Sequence, residues 1–196
     1  MSDPPPHPAP AAIDQAPAVV DEVWLELDWE DGRRLWAEFV QRFGFRHGFG
    51  VDAGDGPAIE EPAPSAVWDL AGVFAGTCPG GFAAGRLAIA EIVLGTLRDC
   101  TEWYESVVFH DWVHPSAVFR PHKVAGPREV PGWEIGGLLP DGDFMIFLGR
   151  DDAFGVVGDP WEQTLCVFGA PAVAAFEARS RGHLPPPIRR DGRPLP

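Results

Sequence analysis

The stretch His110-Asp111-Trp112-Val113-His114 carries the residue types of general acid–base catalysis and of zinc binding. Spacing separates the two chemistries. On a strand, His110, Trp112 and His114 share one face and Asp111 takes the other. Strand residues i and i+4 lie about 13 Å apart, too far to share a metal ion without a turn. A helix would bring the two imidazoles together, but the β-branched and aromatic neighbours argue for an extended chain. Pro115 does so too, by restricting the residue before it. His122 is the natural second ligand for His114, across a hairpin; no metal is assigned.

Acid–base work needs carboxylates delivered by neighbouring segments. Asp143 and Glu162 are the candidates to join Asp111 and His114 as a catalytic cluster at one end of a sheet. The structural alternative makes Asp111 a strand-end carboxylate tied to backbone N–H groups or to an arginine. Asp141, Asp143, Asp151, Asp152, Asp159 and Glu162 otherwise read as turn residues, since no loop reproduces the ligand pattern of an EF-hand. Dinucleotide, P-loop, GxSxG and Cys–His signatures are absent from the sequence, and no cofactor is expected. In Gly158-Asp159-Pro160-Trp161-Glu162, Pro160 cannot donate to a ladder, so the stretch is a corner or bulge with Trp161 covering the sheet's end.

These residues must be positioned by a chain of 196 residues, 45% hydrophobic, with a formal charge of −14. The expected organisation is one domain over 21–182, between a Pro-rich N-terminal tail (1–20) and a Pro/Arg-rich solvated C-terminal tail (183–196). Such a charge repels nucleic acid and anionic membranes. Three cysteines without ligand spacing suit a reducing cytosol, and Cys166 in "TLCVF" reads as a small buried hydrophobe. No secretory signal opens the sequence, and its longest apolar stretch is too short to span a bilayer. From Arg179 onward, five arginines face only Asp191.

Leu35, Trp36, Phe39, Val40 and Phe43 fall on one face of a helix over 29–43, capped by Asp28 or Asp31 and stopped by Gly44. "VWLEL" before it reads as a short strand. "AVWDLAGVF" reads as another, leaving a long Gly/Pro/Asp loop at 45–65. A helix over 80–100 buries Phe82, Ile89, Ala90, Val93, Leu94 and Leu97. Then "WYESVVFHDWV", "SAVFR", "WEIGGLL", "DFMIFLG", "FGVVG" and "QTLCVF" read as strands too closely spaced for helical crossovers, hence antiparallel. "FMIFL" is apolar on both faces and belongs inside the sheet. A last helix spans 171–181. The fold class is α+β: an antiparallel sheet of five or six strands with three packing helices.

"PAIEEPAPSAVWDL" (57–70), "DWVHPSAVFRPH" (111–122) and "LPDGDFMIFLGRDDAFGVVGDPWEQTLCVFG" (139–169) resemble the bacterial family catalogued as domain of unknown function 2716. The resemblance runs from about Trp24 to Phe176 and brings no activity with it. It points to Glu61, Pro62, Pro64 and Ser65, to Asp111, Trp112 and His114, and to Gly142, Asp143, Asp151, Gly155, Gly158, Pro160, Trp161 and Glu162. Of these, Glu61, Ser65, Trp112 and Trp161 are the binding candidates. The family pattern commonly places His where this chain has Asp159, so an imidazole role there is lost.

The expected function is a cytoplasmic, non-catalytic interaction or immunity-type module whose acidic surface recognises a basic protein partner. Two alternatives stand beside it. One is a hydrolase-like enzyme, metal-assisted or not, using the Asp/His/Glu cluster. The other is a small-ligand binding protein with a Trp-lined cleft closed by the 45–65 loop.

Overall fold

The computed structural model describes residues 23–46, 56–111, 114–124, 126 and 142–196. The Pro-rich segment 1–20 and the strand expected at "WEIGGLL" lie outside them. The first elements are strand β1 (Trp24–Glu26), helix α1 (Trp29–Phe43), strand β2 (Ser65–Asp69) and the short helix α2 (Ala71–Phe74). Helix α3 (Gly81–Asp99) leads into strands β3 (Val107–Asp111) and β4 (Ala117–Phe119). Strands β5 (Met145–Leu148), β6 (Gly155–Asp159) and β7 (Thr164–Phe168), helix α4 (Ala170–Ser180) and strands β8 (Arg189–Arg190) and β9 (Arg193–Pro194) complete the chain.

The fold is α+β, with a single antiparallel sheet in the order β1-β4-β3-β5-β6-β7-β2-β8-β9. Nine strands among the described residues exceed the expected five or six. The strands that no sequence reading offered are β8 and β9, two residues each at one edge, where a pattern is too short to register. The expected helices are present. Asp28 caps α1 by accepting from Asp31 N at 2.8 Å, and Gly44 ends it at φ 57°.

Alternation along the central strands sends side chains to two covered faces. Trp68, Phe109, Phe147, Val156 and Val167 pack with Ile89, Val93 and Leu97 of α3 and Phe176 of α4. Val67, Ile146, Val157 and Cys166 pack instead with Phe39 and Phe43 of α1. Every residue of β5 is consequently buried, as its two-sided apolarity predicts.

Three expectations need correction. The strand read through Ala66–Phe74 stops at Asp69, whose Oδ1 accepts from Ala71 N at 2.7 Å and turns the chain into α2. Phe82 is exposed, because the first turns of α3 precede its contact with the sheet. The segment 183–196 is not simply a solvated tail: β8 pairs with β2 through Ala66↔Arg190 and Val67↔Arg189, and β9 folds back on β8.

Gly155 marks a close approach within the sheet. A Cβ there would stand 2.5 Å from the Phe168 ring and 2.8 Å from the Phe147 carbonyl oxygen. Gly155→Ala is expected to lower unfolding stability by about 1–3 kcal/mol through overpacking. Gly72→Ala in α2, where the added carbon meets only Thr77 Oγ1 at 3.5 Å, serves as the control that should stay neutral in the same denaturant titration.

Candidate functional site

Strand pairing places the ends of several candidate-bearing segments at one rim. Asp111 ends β3 opposite Met145, Asp143 lies just before β5, and Glu162 stands in the β6–β7 turn. Of Asp111 the strand position alone is described, and Trp112 lies outside the described residues. His114 is exposed. Asp143 Oδ1 accepts from Phe144 N at 2.8 Å. The corner at 158–162 is a hairpin turn. Asp159 Oδ1 accepts from Trp161 N at 2.9 Å and Glu162 N at 3.0 Å, and the Trp161 ring packs tilted against Phe144 at 4.9 Å.

Glu162 turns toward the C-terminal hairpin. Its two carboxylate oxygens accept from Arg189 Nη1 at 2.6 Å and Nη2 at 2.7 Å, a bidentate fork, and Thr164 Oγ1 donates to Oε2 at 2.8 Å. Arg189 Nε donates to Glu61 Oε1 at 2.7 Å. The Glu61 side chain is 1% exposed. The described hydrogen bonds thus join Glu162 to Glu61 through Arg189, and none joins Glu162 to Asp143 or His114.

Burial alone would lower the Arg189 pKa. The hydrogen bonds and charges of Glu162 and Glu61 outweigh burial and leave it raised. For Glu162, burial pushes upward, but Arg189 and Thr164 bring the carboxyl below its ordinary value. Ser65 joins the same seam: its N–H donates to Asp191 Oδ1 at 2.8 Å, and its O accepts from Asp191 N at 3.1 Å. Two buried oxygens of this seam, Glu61 Oε2 and Ser65 Oγ, have no hydrogen-bond partner among the described residues.

In front of the network lies a cleft of about 420 Å³. Glu60, Glu61, Pro62 and Pro64 form one wall, and the end of α1 and Phe168 form others. Across the mouth, Arg42 Nη1 donates to Asp151 O at 3.0 Å and Asp152 Oδ2 at 3.1 Å. Burial raises the Asp152 carboxyl, with Arg42 pulling against it. Asp151 and Asp152 adopt left-handed φ of 54° and 51°, a conformation Asp tolerates better than most residues.

The remaining chemical candidates are interior groups. His110 lies under α1, edge-on to Trp36 at 5.6 Å, with Nδ1 2.7 Å from Ser116 Oγ. Burial pushes its imidazole down to about 4. Burial also raises the Cys166 thiol, which leaves it protonated and unreactive. Among the described residues no group of three or more His, Cys, Asp or Glu side chains could hold a metal ion.

Sequence reasoning named Glu61, Ser65 and Glu162 but missed Arg189, Arg42 and Glu60. The five terminal arginines in an acidic chain were the available signal for Arg189.

Fold and site together define an α+β protein whose β2, β6–β7 turn and C-terminal hairpin are fastened by one guanidinium between two carboxylates. Residues 26–173 match the family described as "Protein of unknown function (DUF2716)", and the chain belongs to it. It is similar to the uncharacterized protein YxiI of Bacillus subtilis (strain 168), at 24% identity over 155 residues, 79% of this chain and 92% of that protein. No solved structure matches.

Two stability predictions follow from the buried charges. Arg189→Met leaves Glu61 and Glu162 without their cation and should cost about 3–5 kcal/mol in denaturant unfolding. Adding Glu61→Gln should recover part of that loss, whereas independent additive costs would show the network to be inert. His110 has a folded pKa below its unfolded value, so the unfolded chain binds the extra proton as pH falls from about 6.5 to 4. Stability contributed by the neutral ring is therefore lost over that window, by about 3 kcal/mol at its acid end. His110→Gln should flatten the acid limb of the stability profile relative to wild type.

Proposed function

We propose that this protein is a cytoplasmic, non-catalytic interaction or immunity-type module that recognises a basic protein partner. The observation that carries the reading is Trp29, 80% exposed on the first turn of α1. Around it in sequence stand Glu26, Asp28, Glu30 and Asp31, all exposed, with the exposed Leu25. An exposed tryptophan is a favoured interface anchor, and the surrounding carboxylates select a positively charged partner and speed its approach. The net charge of −14 extends the same preference over the whole surface and disfavours nucleic acid.

Other features support the non-catalytic part. Glu162, the best-placed candidate acid, is held ionised by Arg189, a poor state for proton donation. Free Cys78, Cys100 and Cys166 accord with a reducing compartment. No helix among the described residues is long and apolar enough to cross a membrane.

The test is anisotropy with labelled peptide sets, one Lys/Arg-rich and one Asp/Glu-rich, against the full chain. The basic set should bind, weakening about tenfold or more as salt rises. Trp29→Ala and Glu30→Lys should each weaken binding further. Equal binding of both sets, or no effect of either substitution, would overturn the proposal.

A further inference from the structure

The cleft beside Glu61 has the chemistry of a cation subsite. We infer that it seats the guanidinium of an arginine side chain from the partner, an inference that rests on the basic-partner reading above.

The electrostatic argument begins with α1. Its C-terminal end carries the negative pole of the helix dipole, and Phe43 O accepts from Glu60 N at 2.7 Å. The Glu60 side chain packs against Gly44 at that end: a Cβ on Gly44 would lie 3.0 Å from the Glu60 carboxylate. A carboxylate beside a helix C-terminus is repelled by it, and the pair becomes favourable when a cation joins. Glu60, Glu61 and Asp152 all line this cleft, against Arg42 as the single cation among the described lining residues.

An independent observation lies in Glu61. The residue borders the cleft, its side chain is 1% exposed just behind that wall, one oxygen is spent on Arg189, and Oε2 is buried with no hydrogen-bond partner among the described residues. An unsatisfied buried carboxylate oxygen is costly, and a donor brought by a ligand relieves that cost. Oε2 is covered in the free protein, so entry requires a rotamer change of the kind common on binding.

Guanidinium is favoured over ammonium because the region already binds two. Arg189 is bidentate to Glu162 and also reaches Glu61, and Arg42 spans Asp151 O and Asp152 Oδ2. The Arg189 contacts are a planar, forked recognition that an ammonium cannot reproduce, whereas Arg42 makes both of its contacts through Nη1 alone. The side walls of Phe43, Pro62, Pro64 and Phe168 suit the aliphatic stem of such a side chain.

The probes are N-acetylarginine amide, its lysine counterpart and the neutral isostere N-acetylcitrulline amide, each titrated into the isotopically labelled full chain to about millimolar concentration. Arginine should shift the amide resonances of Glu60, Glu61, Asp152 and Phe168, with lysine weaker and citrulline weaker by about tenfold or more. Glu60→Gln and Asp152→Asn should each weaken the arginine response several-fold, and Glu91→Gln, exposed on α3 against the other face of the sheet, should leave it unchanged. Equal shifts with citrulline, shifts scattered over the acidic surface, or indifference to both cleft substitutions overturn the inference.

Its failure is separable from failure of the basic-partner reading. Basic peptides that bind through Trp29 while the cleft stays silent refute the subsite alone. Arginine amide held in the cleft, with no preference for basic peptides, refutes the partner reading alone.

Discussion

The structure depends on one guanidinium between two carboxylates that arrive from distant parts of the chain. Glu61 precedes β2, Glu162 sits in the β6–β7 turn, and both stand on the face of the sheet that α1 covers. Removing a carboxylate from water costs several kcal/mol unless it is paired, and Arg189 answers both at once. The consequence is topological as well as energetic. With Arg189 in place, β8 lies along β2, so the edge of β2 is paired rather than open to other chains. Arg190 adds a second tie, to Glu177 of α4, so the hairpin is fastened to both covered faces of the sheet.

Double-sided cover explains why His110 and Cys166 are held in their uncharged forms in the interior. A strand buried on both faces cannot carry ionised groups without partners. His110 is kept neutral there beside Trp36 and Ser116, and Cys166 is kept protonated. Charge is therefore displaced to the rims and loops, where Glu60, Asp152 and the acids flanking Trp29 remain available to solvent or a partner.

Local elements were legible in the sequence where a single segment carries the whole signal. Helix α1 has its periodic apolar face between its Asp28 cap and its Gly44 stop, all in one continuous segment. The strands β5, β6 and β7 announce themselves by continuous apolar runs between turns. What escaped notice is long-range. Nothing local in "IRRDGRP" says that it pairs with "AVWD" well over a hundred residues earlier, and its arginines read as solvated charge. The site shares that limit: family motifs flagged Glu61 and Glu162, but an ion pair has no sequence spacing, so their common partner could not be read. Phe82 shows the opposite error, where helical period alone assigned burial to a residue that meets Phe74 of α2 at 6.5 Å but stays exposed beyond the sheet.

The network also limits what the rim can do. A general acid needs a carboxyl whose pKa is raised toward neutrality, and Glu162 is moved the other way by its fork with Arg189. Burial does raise Asp159, but its Oδ1 is committed to two backbone N–H groups that hold the turn, so it is not poised to donate to a ligand. Proton transfer by Glu162 would require Arg189 to leave, and its departure would strand two carboxylates and loosen the hairpin from β2. Fixed, hydrogen-bonded charges of this sort recognise a complementary charge without exchanging protons, which is the physical basis for reading the surface as a recognition site rather than a catalytic one.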